Sequence, residues 1–120
     1  MAHLQPPTPL PELVFDVADF PNKTEVMREG MNGGDRMTLT RQTGRSKIRK
    51  TRRAALKGKK KAGANKSLDE FPFASSKQGG KGAAVAPIPV SEQCKQGGKM
   101  SAFYQKHGIG DGDSFVVKIG

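Results

Sequence analysis

Apolar and polar positions alternate in two rhythms along this chain. In "LVFDVADF" (13–20) Phe15, Val17 and Asp19 fall on one side and Asp16 and Ala18 on the other, the period of a strand. "RMTLTR" (36–41) repeats that rhythm through Met37, Leu39 and Arg41, and "DGDSFVVKIG" (111–120) reads as a turn and then a strand with Phe115, Val117 and Ile119 on one face. "AAVAPIPV" (83–90) is a further strand, and Pro87 and Pro89 confine it to a sheet edge or an early exit. Helical spacing appears between them. "PNKTEVMREGMNGG" (21–34) offers Asn22 or Thr24 as an N-cap and Gly30 as a stop. "TGRSKIRKTRRAALKG" (43–58) offers Ser46 as a cap, Ile48, Arg52 and Ala55 at helical spacing, and Gly58 as a stop. In "SEQCKQGGKMSAFYQKHG" (91–108) Ser91 is the cap candidate, Met100, Phe103 and Tyr104 stand at i, i+3 and i+4, and Gly108 ends the helix. The order β-α-β-α-loop-β-α-β predicts a small single α+β domain, with a short mixed or antiparallel sheet and two to three helices. Residues 1–12, rich in proline, read as an extended, poorly ordered lead-in to a domain over 13–120, and "KGKKKAGANK" (57–66) as a mobile basic loop.

Composition narrows the function. The chain has 120 residues and a formal net charge of +10. Apolar residues make up 34% and tryptophan is absent, so the core is small. The charge points to a polyanionic partner, with DNA, RNA and an anionic membrane surface as candidates. No apolar run approaches a membrane span. The start lacks the basic and apolar regions of a secretory signal, so no export address is expected in this chain. With one cysteine, Cys94, neither an intrachain disulfide nor a four-cysteine zinc site can form.

Charge is also unevenly placed. Between Arg36 and Lys66 Lys and Arg recur without a single acid, and then Asp69 and Glu70 arrive together in "LDEFPFASSKQGG". Arg45, Lys47, Arg49, Lys50, Arg52 and Arg53 on one short helix would spread charge around most of its circumference. Such a face is either plain solvated surface or a phosphate-binding surface that gives affinity without sequence choice, and the density of charge favours the latter. Zinc-finger spacing, RNP-type aromatics and a helix-turn-helix are all missing, which argues against a sequence-specific regulator. Acids inside a polyanion-binding face leave two readings open. Asp69 caps a turn and Glu70 pairs with a surface cation, or Asp69 and Glu92 hold a divalent metal and activate water.

Other features carry less. His3 lies in the lead-in and His107 at a helix end, where the dipole favours a cation. "GGKMS" resembles a phosphate loop, but position 93 is Gln where the spacing needs Gly. "KQGGK" occurs at 77–81 and 95–99, two glycine turns rather than a repeat. Cys94 reads as a small buried residue, and Phe71, Phe73, Phe103 and Tyr104 as core.

Four ordered blocks then match a known pattern: "RRAALKG" (52–58), "LDEFPFASSKQGG" (68–80), "VSEQCKQGGKMSAFY" (90–104) and "IGDGDSFVVKI" (109–119). Together they resemble the NucA/NucB family of deoxyribonucleases from about residue 13 onward. The resemblance implies a metal-dependent, largely sequence-nonspecific DNA endonuclease, monomeric and commonly exported, with an inhibitor protein or a larger toxin-like parent chain as partners. It places the acidic site on Asp69, with Glu70 beside it, and a second acid and amide on Glu92 and Gln93. Gln93 departs from the Asn usual there, and the histidine often found near the first helix is replaced in "TEVMREGMNGG". Expected metal ligands are Asp69, Glu92 and Gln93, with Mg²⁺ or Mn²⁺ suited to their hard oxygens. Expected DNA contacts are Arg45, Lys47, Arg49, Arg52 and Arg53, with Gln96 and a Gly97-Gly98 turn letting backbone approach a phosphate. The rival is a non-catalytic basic nucleic-acid-binding protein or a degenerate nuclease relative.

Overall fold

The computed structural model describes residues 9–120. Its elements are β1 (Glu12–Phe15), α1 (Pro21–Gly30), β2 (Arg36–Thr40), α2 (Arg45–Leu56), β3 (Lys66–Phe71), β4 (Ala84–Pro89), α3 (Val90–His107) and β5 (Ser114–Ile119). The fold is α+β, as the sequence pattern predicts. Two small sheets replace the one expected. In the first, β5 lies between β1 and β2, parallel to β1 and antiparallel to β2. The second is the antiparallel pair β3–β4.

β3 is the element the apolar pattern does not announce. Its inward positions include Asp69 and Glu70, so burial there is hidden behind charge. Pro87 and Pro89 sit opposite Leu68 and Lys66 in a two-stranded sheet, where each strand is an edge and proline is tolerated. β1 is shorter than predicted. Asp16 bends the chain by accepting a hydrogen bond from the Ala18 amide at 2.7 Å, and Val17 is left exposed rather than sharing the face of Phe15.

The helix starts also shift. α1 begins at Pro21, whose fixed φ and missing N–H suit a first helical position, so neither Asn22 nor Thr24 is its cap. Thr24 turns its hydroxyl back to the Phe20 carbonyl at 2.7 Å. α2 starts at Arg45 behind Gly44, which takes a φ of 98° that Ser46 could not easily supply as cap. α3 starts at Val90, one residue before Ser91, and ends as expected on left-handed Gly108.

Phe15, Phe71, Phe73, Phe103 and Phe115 are buried in one core with Leu13, Met27, Leu39, Ile88 and Val117, and Tyr104 packs against it. Phe71 and Phe73 meet edge to face at 5.2 Å between centroids. α1 lies close on β3 because Gly30 has no side chain: a Cβ there would stand 2.6 Å from the Phe71 carbonyl oxygen. α2 is anchored mainly through Ala55, its one buried residue. No helix among the described residues is long and apolar enough to cross a membrane.

Candidate active site

β3 delivers Asp69 and Glu70 in succession, and the alternation of a strand sends their side chains to different neighbours. Asp69 turns to α1, where Lys23 Nζ lies 2.8 Å from Oδ2. Glu70 turns to α2, where Arg52 Nε donates to Oε1 at 3.3 Å. Both acids line one cleft of about 200 Å³, shared with Arg52 and with Gln93, Gln96 and Gly97 of α3. Asp69 is 2% exposed and Glu70 4% exposed; Asp69 sits within a strand rather than capping a turn, whereas Glu70 does pair with a surface cation, Arg52.

Lys23 is the organising residue. It is wholly buried, its ammonium also donates to the Glu70 carbonyl oxygen at 3.1 Å, and it lies over the rings of Phe71 and Phe73. Burial pushes its pKa down, and the charge and hydrogen bond of Asp69, with Glu70 and Glu92 behind, oppose that shift. The patterning of the sequence does not flag Lys23. The available signal is its place at the third position of a helix, where the dipole disfavours a cation and a local carboxylate is needed to offset it.

Glu92 does not line the cleft. Its Oε1 accepts from the backbone amides of Asn22 at 2.9 Å and Lys23 at 2.6 Å, and its Oε2 accepts from Asn22 Nδ2 at 2.8 Å. It therefore caps α1 from α3, supplying the acceptor that no residue at the start of α1 provides.

The remaining expected residues divide. Gln93, expected as a metal ligand, and Gln96, expected at a phosphate, both line the cleft. Gly97 and Gly98 are helical, inside α3, so the expected glycine turn is absent there and their amides belong to the helix ladder. The first "KQGGK" does form a turn, with Gly79 N donating to Ser76 O at 3.2 Å. Arg45, Lys47, Arg49, Lys50, Arg52 and Arg53 are all exposed on α2. A larger hollow of about 610 Å³ runs beside Arg49, Arg52, Arg53 and Lys57 but has no acid in its lining, so Arg52 alone joins that basic surface to the acids. Cys94 is exposed, contrary to the buried position expected of it. His107 is exposed against the Phe103 ring, away from the cleft, and His3 lies outside the described residues.

For a divalent cation the donor set is hard. No three His, Cys, Asp or Glu residues cluster as a complete cage among the described residues. Glu70 Oε2 and Gln96 Oε1 are buried without a hydrogen-bond partner, and both residues line the cleft. Such oxygens suit Mg²⁺, which is commonly held by one or two carboxylates together with water and substrate phosphate.

A buried carboxylate pair thus lies in a narrow cleft next to a helix of exposed cations. Residues 23–118 match the family model described as Deoxyribonuclease NucA/NucB. The chain belongs to that family, for which DNA is the indicated substrate. No curated protein matches the chain.

Proposed function

We propose that this protein is an endonuclease that hydrolyses DNA phosphodiester bonds with little sequence preference and with a divalent cation. The observation that carries the reading is the cleft itself: two buried acids, with Glu70 Oε2 and Gln96 Oε1 unpartnered, opening beside a helix that carries cations and no acid. The exposed side chains of α2 would hold backbone phosphates, which positions a strand without reading its bases. Arg52, shared by both surfaces, would bring one phosphate to the cleft. Asp69, held by Lys23, would take the proton of the attacking water as its oxygen bonds to phosphorus. The bond from phosphorus to the departing sugar oxygen then breaks, and that oxygen takes a proton from solvent. Glu70, with the amides of Gln96 and Gln93, would hold Mg²⁺ or Mn²⁺. When bound, the cation supplies charge neutralisation at the phosphoryl oxygens and a more acidic water. Glu92 would serve by fixing α1, and through it Lys23.

Plasmid nicking tests this. Wild-type protein should convert supercoiled DNA to open and linear forms with Mg²⁺ or Mn²⁺ and stop with EDTA. Glu70→Gln and Asp69→Ala should each lose about 100-fold or more, the scale of a missing base or metal ligand. One observation favours a second reading: each acid already has a cation of the chain beside it. DNA binding without metal-dependent cleavage would establish that reading, a non-catalytic binding protein.

A further inference from the structure

α3 is an 18-residue helix with two adjacent glycines in its middle, Gly97 and Gly98. Nothing in the fold demands glycine at either place. Neither has a positive φ, and a Cβ built on either meets no atom within 4 Å. Both are exposed, and in an exposed helix interior glycine is worse than every residue except proline. The two differ in what they face. Gln93, Gly97 and Met100 stand at i, i+4 and i+7, one face of the helix, and all three line the acid cleft. Gly98 is turned about 100° further round and is not part of that lining.

A side chain at Gly97 would therefore project into open space that belongs to the cleft. That cleft holds only about 200 Å³, and the acids in it are almost shut from solvent. We infer that Gly97 is a substrate-access residue: its missing side chain leaves the gap in the cleft wall through which the scissile phosphodiester reaches Asp69 and Glu70. This rests on the nuclease reading above. It also explains an unfavourable residue in a helix by what must pass it, while Gly98 serves as a built-in control.

The test compares Gly97→Ala and Gly97→Leu with Gly98→Ala and Gly98→Leu, measuring Tm and plasmid cleavage with Mg²⁺ or Mn²⁺. All four variants should keep or raise Tm, the alanines by about 4 °C. Cleavage should fall in kcat/KM by about tenfold for Gly97→Ala and further for Gly97→Leu, and stay within about twofold for the Gly98 variants. Wild-type cleavage matched by both Gly97 variants would overturn the inference alone. Equal losses at both positions would also overturn it, since helix flexibility would then be the cause. A lowered Tm at Gly97 would do the same, because the side chain would be meeting something in the fold. Absence of cleavage by the wild-type protein would remove the nuclease reading and this inference with it.

Discussion

Lys23 and Asp69 form an ion pair at 2.8 Å with both side chains shut from water, at 0% and 3% exposure. A pair in that position is costly to assemble and worse to split, because either partner left alone is a buried charge without compensation. Lys23→Met and Asp69→Asn should each destabilise the domain by about 3 kcal/mol. The double variant should fall short of the sum by about 2 kcal/mol, the signature of two residues in direct contact. Urea denaturation of the four proteins at neutral pH measures this cycle, and additive losses would show that the pair is not coupled.

Glu92 caps the start of α1, and its variants test whether it also takes part in chemistry. Three hydrogen bonds from the start of α1 end on its carboxylate, so Glu92→Ala should cost about 2 kcal/mol, the upper range for a helix cap. Glu92→Gln keeps one acceptor and should recover part of that loss. The expected pattern is a lowered Tm with cleavage largely kept below the transition. A variant that keeps its Tm and loses cleavage about 100-fold would place Glu92 in the chemistry instead.

Periodicity made most of the outer frame legible. Alternation found β2 and β5, helical spacing found α2 and α3, and the paired prolines marked β4 as an edge. β3 escaped because two of its three buried positions, Asp69 and Glu70 beside Phe71, are acids, and the alternation test counts acids as outward. The Gly97-Gly98 pair read as a turn because local propensity favours one, whereas the surrounding positions of α3 carry enough inward contact to run the helix through it. Asp69, Glu70, Gln93, Gln96 and Arg52, singled out from motif and charge, share one cleft. Lys23 was not singled out, and neither was the capping role of Glu92, since that contact joins residues 70 positions apart and leaves no local trace.

Acid should loosen the loop that sets the start of α2. Asp111 Oδ1 accepts from the Thr43 amide at 2.8 Å, and the Thr43 hydroxyl lies 3.3 Å away. The amide hydrogen bond, helped by the hydroxyl and by Lys47 and Lys77, holds the Asp111 carboxyl below its ordinary value of 3.8. With the folded pKa depressed, the unfolded chain binds more protons as pH falls past 3.8, so the contribution is present above that value and lost below it. Asp111→Asn should therefore have a lower Tm than wild type at mild pH, with the gap closing below 3.8. A gap that stays constant through acid would mean the carboxylate charge is not what Thr43 needs.

Arg49 and Arg52 should fail in different ways. Both are exposed on α2, but only Arg52 reaches an acid, with Nε on Glu70 at 3.3 Å. If Arg49 only neutralises a phosphate, Arg49→Gln should weaken DNA binding and reduce the slope of log affinity against log salt by about 1, through one fewer released counterion. Its cleavage rate at saturating DNA should be unchanged. Arg52→Gln should reduce the slope similarly and also lower the saturated rate, because the phosphate is then no longer delivered beside Asp69 and Glu70. Anisotropy titrations of a short labelled duplex across a salt series, paired with single-turnover cleavage, separate the two effects. Equal saturated rates for the two variants would reduce Arg52 to one more surface cation and leave the cleft without its link to the basic face.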